Sequence, residues 1–321
     1  MSAAAPKIQF KPAVRRPVPL LIGLSGGTGA GKTWTGMALA TGMAAGEKFA
    51  VIDTENGRAL HYADQWKFDH AELHPPFTPK AYENAILAAD AAGYPVIMVD
   101  SASHEWAGEG GVLDTQEDEL TRMAGQDFNK RNACLMASWI KPKREHKSMV
   151  QRLLQVKAHV ILCFRAEPKV EMVTENNKTK VVPKKSLTGL DGWIPVSEKN
   201  LPFELTLSFL LTADKPGIPH PIKLQDQHRP YFDLTKPVGI EAGRKLAEWA
   251  KGDEQKPAAA ESAKASAKSA SVTQYTYRLR KAVTLKELQA IGSEISGSAL
   301  SDTDKDACRK VYTEEQARLS Q

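Results

Sequence analysis

The sequence predicts an α/β protein with a mostly parallel central sheet flanked by helices. Short apolar runs, each long enough for one strand, alternate along the chain with longer stretches of helical character. Most of these runs are apolar at nearly every position, which is typical of strands covered on both faces. Strands and helices that alternate in this way form βαβ units and parallel sheets.

Two βα units open the predicted core. The apolar run Pro17–Leu24 predicts the first strand, and the Ala- and Met-rich stretch Lys32–Met43, which follows a Gly-rich turn, predicts the first helix. Phe49–Asp53 is apolar up to its last residue and predicts the second strand. Lys80–Ala92 is predicted as a helix, and Pro95–Asp100 as a third strand that ends in a carboxylate.

The rest of the core is less regular. Lys143–Val156 predicts a helix and His159–Phe164 a fourth strand. Within Lys169–Lys185, two short apolar segments flank a polar stretch, which predicts a hairpin or a mobile loop. Leu201–Leu211 is predicted as a further strand, and Ile240–Lys251 as a closing helix.

Changes in composition divide the chain into four predicted parts. A flexible basic tail, residues 1–16, precedes the core at 17–251. Residues 252–272 are almost wholly Ala, Ser, Lys, Glu and Pro, which is too little apolar surface to fold, and they predict a disordered linker. Residues 273–321 predict a small helical module with a capping-box pattern at 284–287.

The overall composition excludes several classes of protein. Of the 321 residues, 42% are hydrophobic and 25% charged, which excludes global disorder and a disulfide-stapled miniprotein. The net charge of +5 permits a nucleic-acid partner without requiring one. The three cysteines show neither CxxC nor Cys/His spacing, so we expect a reducing cytoplasm and no structural zinc. No segment approaches the roughly 20 apolar residues of a membrane span, so no membrane partner is expected.

The most specific motif lies between the first predicted strand and the first helix. Residues 26–33 read GGTGAGKT and match the P-loop pattern GxxxxGK[ST] in full. The glycines let backbone N–H groups surround phosphates at a helix N-terminus, where the lysine adds a charge and the threonine hydroxyl binds Mg²⁺. The motif predicts ATP and Mg²⁺ as cofactors, with these binding residues: Gly26, Gly27, Thr28, Gly29, Ala30, Gly31, Lys32, Thr33 and Trp34.

Acidic residues follow the second and third predicted strands. Asp100 ends the third strand and is predicted to hold Mg²⁺ together with Thr33, directly or through water. Glu55 follows the second strand, near the place where the P-loop is expected. A nucleotide hydrolase also needs a group that orients the attacking water.

The P-loop, the IDTE segment at 52–55 and the VDS segment at 99–101 occur in the order found in RecA-like ATPases, and the chain resembles that family. The resemblance implies a RecA-like P-loop NTPase core and assigns the polarisation of water to Glu55. It also places Arg165 at the strand end that senses the γ-phosphate, where RecA itself has glutamine. We expect Arg165 to stabilise phosphate charge or, as the alternative, to pair with Glu167.

A narrower resemblance rests on Asp100–Trp106, which reads DSASHEW, and on Trp139–Lys143. These segments are similar to phage-encoded RecA-like nucleotide-binding proteins of single-strand annealing and recombination, over about residues 17–250. The resemblance implies an ATPase stimulated by single-stranded DNA in the cytoplasm of a bacterial host. It also implies a homo-oligomer, and a single-strand-binding protein or another phage recombination protein as partner. Glu105 is a second candidate for the catalytic acid or base.

The segment Lys169–Lys185 takes the place of the mobile DNA-binding loop of the family. An ordinary solvated hairpin is the alternative interpretation of its charges. The residues predicted to contact DNA are Lys178, Lys180, Lys184 and Lys185.

A GTPase is disfavoured, because Asn177–Lys180 lacks the aspartate of an NKxD motif. Two functions from other classes stay open. A small-molecule or nucleotide kinase remains an alternative, with the basic residues of Trp139–Lys147 as a patch for the acceptor's phosphate. A nucleotide-binding scaffold that does not hydrolyse ATP is the other alternative. Turnover stimulated by single-stranded DNA separates the ATPase from both.

Overall fold

The structure is a computed structural model that describes residues 12–175, 178–185, 192–252, 275–298 and 300–319. The chain divides into two compact units, Met1–Gly252 and Asp253–Gln321. Most of the predicted tail and nearly all of the predicted linker lie outside the described residues. Within the described part of the chain, no helix combines the length and the apolar character needed to cross a membrane.

The first unit contains ten strands and eight helices among its described residues. The strands are β1 Leu21–Gly26, β2 Phe49–Asp53, β3 Phe68–Glu72, β4 Val96–Asp100, β5 His159–Pro168, β6 Val170–Glu175, β7 Lys178–Pro183, β8 Trp193–Pro195, β9 Leu207–Leu211 and β10 His220–Lys223. The helices are α1 Lys32–Met43, α2 Pro79–Ala91, α3 Ser103–Ala107, α4 Val112–Ala124, α5 Phe128–Ser138, α6 Ile140–Leu153, α7 Leu201–Glu204 and α8 Ile240–Ala250.

The central sheet has the strand order β10-β9-β1-β5-β4-β2-β3, and β8 pairs with the far end of β5. Neighbouring strands from β9 to β3 are parallel, whereas β10 and β8 are antiparallel to their neighbours. The four strands predicted from apolar runs are β1, β2, β4 and β5, and they lie side by side at the centre. The predicted α/β class with a mostly parallel sheet is confirmed.

Both faces of the sheet are covered, which explains the continuous apolar runs. Successive side chains of a strand point to opposite faces. Val96 and Met98 of β4 therefore join the apolar cluster that contains α1 and α8, whereas Ile97 and Val99 join the cluster that contains α2 and α6. All four residues are completely buried.

Helices α1 and α8 approach each other closely at two glycines. A Cβ atom on Gly42 would lie 2.0 Å from the carbonyl oxygen of Ile240, and one on Gly243 would lie 2.3 Å from that of Leu39. No side chain larger than hydrogen fits at either position. The contact seats α1, which begins at Lys32, against the rest of the unit.

The predicted strand Leu201–Leu211 is wrong in its first half. Residues Leu201–Glu204 form the short helix α7, and only Leu207–Leu211 form a strand. Pro202 lies in the first turn of α7, where a missing N–H group costs no hydrogen bond, whereas within a central strand it would remove one. The first strand likewise begins at Leu21 rather than at Pro17, after both prolines of that segment.

The second unit is a group of helices with its own apolar core. Residues 275–281 are helical (α9) and are followed by α10, Leu285–Gly297, and α11, Asp302–Leu319. Leu279, Leu288 and Cys308 are completely buried between these helices. At the start of α10 the Thr284 hydroxyl accepts a hydrogen bond from the N–H of Glu287, which is half of the predicted capping box.

Candidate nucleotide-binding site

The loop between β1 and α1 forms an anion-binding turn. Gly29 and Gly31 have φ angles of 75° and 83°, in the left-handed region that glycine adopts without strain. No side chain of the described residues caps the N-terminus of α1, so its first N–H groups are available to an anion. The Lys32 ammonium donates to the carbonyl oxygens of Gly26 and Gly27, at 3.0 and 2.9 Å, and so lies across the loop.

Thr33 and Asp100 meet directly beside this loop. The Thr33 hydroxyl donates to the Asp100 carboxylate over 2.6 Å. Burial raises the pKa of Asp100 to about 6, although the hydrogen bond from Thr33 opposes the rise. Hydroxyl and carboxylate oxygens are the hard ligands that Mg²⁺ takes, so this pair fits the metal that the sequence predicts.

Glu55 lies between two arginines at the end of β2. Its Oε1 accepts from Nη2 of Arg165 at 2.8 Å and from Nε at 3.2 Å. Its Oε2 accepts from Nη1 of Arg58 at 2.7 Å. Arg165 therefore pairs with Glu55, and the pair that the sequence offered as the alternative, with Glu167, does not form.

Asp53 holds the backbone of the loop that carries Glu55. Its side chain is almost fully buried and accepts from the N–H groups of Glu55, at 2.6 Å, and Ala59, at 2.8 Å. The next residue, Thr54, accepts from the N–H of Ser101 at 2.9 Å, which ties the end of β2 to the end of β4. These contacts fix the position of Glu55 relative to Asp100.

A cavity of about 630 Å³ opens over these groups. It is lined by most of the predicted P-loop residues, including Trp34, and by Glu55, Asp100 and Arg165. Ala30 is buried beneath the loop instead. Sequence reasoning missed Arg58 and Tyr62, which a 3₁₀ turn after β2 brings to the cavity wall.

Glu105 is not among the residues that line this cavity. Its buried carboxylate lies 2.9 Å from Nδ1 of His146 on α6. Burial lowers the pKa of His146, but the hydrogen bond and charge of Glu105, with the charge of Glu198, outweigh burial and leave the pKa raised. This ion pair joins α3 to α6, and we do not assign Glu105 as the base.

The predicted DNA-binding segment is an antiparallel hairpin of β6 and β7. It follows β5 after one residue, and Arg165 lies on β5 near that junction. Lys180 lies on β7 opposite Val173, whereas Lys184 and Lys185 follow the strand. The backbone of Lys178 also lies on β7, but its side chain is outside the described part. One face of the hairpin carries Met172 and Val181, exposed by 79% and 65%.

A comparison with models of protein families gives a match. The family model described as "AAA domain" matches residues 19–192, which is more than half of the chain and includes the P-loop, Glu55, Asp100 and Arg165. A search of curated proteins gave no match.

Proposed function

The chain belongs to the family of AAA domains, which are nucleotide-binding P-loop ATPases, and we propose that it hydrolyses ATP with Mg²⁺ and acts on single-stranded DNA in phage recombination and annealing. The proposal of ATP hydrolysis rests on the alignment of strand ends in the central sheet. In the sheet register, Gly26 lies opposite Arg165 and Asp53 lies opposite Asp100. The phosphate loop, the metal ligand and the proposed base therefore share one edge.

Each residue has a part in the proposed reaction. Lys32 and the N-terminus of α1 bind and neutralise the phosphates. Thr33 and Asp100 would hold Mg²⁺, which, when bound, neutralises charge on the phosphate oxygens. Glu55 accepts the proton of the attacking water, and Arg165 stabilises the charge that develops on the terminal phosphate.

The proposal for DNA rests on the β6–β7 hairpin. Its lysines provide the local positive charge that binding to a phosphate backbone needs, since the net charge of the chain is only +5. The hairpin follows β5 after a single residue. A movement of Arg165, which lies on β5, can therefore be transmitted to the hairpin through a short stretch of backbone. We also propose that the protein works in the cytoplasm of a bacterial host. Its proposed partners are further copies of this chain and a single-strand-binding or other phage recombination protein.

The test combines ATPase assays with titrations of labelled single-stranded DNA by fluorescence anisotropy at several salt concentrations. Neutralising Lys178, Lys180, Lys184 and Lys185 together should weaken binding and flatten the salt dependence, by about 0.7 in logarithmic slope per lost phosphate contact. Basal ATPase should remain, and its stimulation by DNA should disappear.

The matched control neutralises the second basic cluster, Lys141, Lys143 and Lys147. Lys141 already pairs with Glu119 at 3.1 Å, and Lys143 lies over the ring of Trp139. The control should therefore bind DNA like the wild type. Loss of binding in the control alone would move the DNA site to α6. ATP turnover in a wild type that binds no DNA would contradict the DNA part of the proposal and favour the kinase alternative.

A further inference from the structure

The carboxylate of Glu55 has both oxygens engaged by arginine. Arg165 contacts Oε1 and Arg58 contacts Oε2, with shortest distances of 2.8 and 2.7 Å. The Glu55 side chain is only 14% exposed, whereas those of Arg165 and Arg58 are 51% and 65% exposed. The carboxylate is thus enclosed, and the two guanidinium groups form the open side of the cluster.

This arrangement creates a competition. A carboxylate that acts as a base needs a free lone pair toward the water, and here three arginine N–H donors occupy three of its roughly four acceptor positions. Phosphate oxygens are equally good partners for a guanidinium group, because they offer the same paired acceptors as a carboxylate. Both arginines line the cavity over the P-loop, within the same 630 Å³ space as Lys32.

We propose that Glu55 and the terminal phosphate of a nucleoside triphosphate compete for Arg165 and Arg58. The two arginines then distinguish triphosphate from diphosphate, at an affinity that Glu55 lowers, and they release Glu55 for catalysis only when a triphosphate is bound. This proposal rests on the proposed ATPase function. A diphosphate leaves the cluster intact, because it has no third phosphate to reach the arginines.

The backbone around the cluster suits an exchange of side-chain partners. Asp53 holds the N–H groups of Glu55 and Ala59, and the N–H of Arg165 donates to the Ser103 hydroxyl at 2.9 Å. With the backbone fixed on both sides, the exchange needs only rotation of the long arginine side chains, which have the rotamer freedom for it.

The competition predicts an effect opposite to that of losing a binding residue. Glu55→Gln keeps the shape of the side chain but holds the arginines less strongly, so a triphosphate should bind more tightly. For an ion pair with an exposed guanidinium group, we expect about a two- to five-fold gain. The affinity for ADP should stay unchanged, and this also shows that the variant is folded.

The matched control is Glu167→Gln. Glu167 lines the same cavity, and in the part of the chain that the structure describes it forms no ion pair with either arginine. The substitution Glu167→Gln removes one negative charge from the cavity wall without releasing Arg165. If Glu55→Gln raised triphosphate affinity only by reducing the repulsion between the cavity wall and the phosphates, Glu167→Gln would raise it as well. A gain that comes from the competition for the arginines would be absent from this control.

The experiment measures, by titration calorimetry with Mg²⁺, the binding of ADP and of the non-hydrolysable β,γ-imido analogue of ATP. The ratio of the two dissociation constants, ADP over analogue, should rise about two- to five-fold in Glu55→Gln and stay constant in Glu167→Gln. Against an Arg165→Ala background, where one of the two arginines that Glu55 and the phosphate compete for is already absent, the gain from Glu55→Gln should shrink.

An unchanged ratio in Glu55→Gln, or an equal gain for both nucleotides, would overturn the competition. If that result comes with nucleotide binding that Lys32→Ala weakens, the ATP site stands and only this inference fails. Wild-type protein that binds neither nucleotide would instead refute the proposed function itself.

Discussion

The close contact between α1 and α8 predicts a large effect from a single methyl group. In Gly243→Ala the new Cβ would lie 2.3 Å from the carbonyl oxygen of Leu39, and real Cβ atoms do not approach below 3.0 Å. The two helices would have to separate by about 0.7 Å. The carbonyl belongs to the backbone of α1 and cannot rotate away as a flexible side chain would.

The magnitude follows from two opposing contributions. Overpacking of a tight contact destabilises a protein by about 1–3 kcal/mol, and a clash with backbone belongs at the upper end. The higher helix propensity of Ala offsets about 1 kcal/mol of this. We therefore expect Gly243→Ala to lower the free energy of unfolding by about 2 kcal/mol. Because α1 begins at Lys32, the same shift should weaken nucleotide binding.

Urea unfolding measures the first effect, and nucleotide titration the second. Gly239→Ala is the matched control, because it lies at the start of the same helix and a Cβ there meets no atom within 4 Å. We expect the control to stay within about 1 kcal/mol of the wild type. A Gly243→Ala variant as stable as the wild type would refute the close packing of α1 on α8.

Three further predictions address the site and the sheet. Lys32→Ala removes the positive charge at the phosphates, so ATP hydrolysis should fall to background. Nucleotide affinity, measured by titration, should fall by about 10- to 100-fold. Normal turnover in this variant would contradict the P-loop assignment. Asp53→Asn leaves one of the two backbone N–H groups of Glu55 and Ala59 without an acceptor, so the loop that carries Glu55 should shift. ATP turnover should therefore fall about ten-fold while nucleotide affinity is retained. An equal loss of turnover and of nucleotide affinity would indicate general unfolding. Burial lowers the pKa of His159 from its ordinary value of 6.5 to about 4. As the pH falls from 6.5 toward 4, His159 is therefore protonated in the unfolded state but still neutral in the folded state. The free energy of unfolding should fall by about 3 kcal/mol over this range from its value above pH 6.5. His159→Asn keeps an acceptor for the Leu20 N–H and should flatten this dependence in urea unfolding at neutral and acid pH.

The elements that the sequence predicts well are those with clear local signals. Helix α1 has the predicted bounds, because the P-loop marks its start. Strand β2 is predicted to the residue, because its apolar run is bounded by polar residues. Strand β3 escaped prediction, because it lies at the edge of the sheet and carries polar residues such as Asp69 and His70. An edge strand needs no continuous apolar run, so its sequence resembles that of a loop.

The candidate site divides in the same way. Lys32, Thr33 and Asp100 can be located from the motif, because each sits at a defined point of a strand or helix end. The partner of Arg165 could not be predicted, since Glu55 is 110 residues away in the sequence and β5 must insert between β1 and β4 to bring them together. Arg58 depends on a turn whose geometry is set by the buried Asp53.

The β6–β7 hairpin has a thermodynamic consequence for whatever binds it. Within the described residues it is a two-stranded sheet without a third strand, and such ribbons are marginally stable in water. Its conformational entropy is therefore only partly lost when the rest of the unit folds. A ligand that orders the hairpin must supply the remainder from its own contact energy. Affinity at this segment is consequently set as much by how rigid the ribbon already is as by the number of lysines it presents.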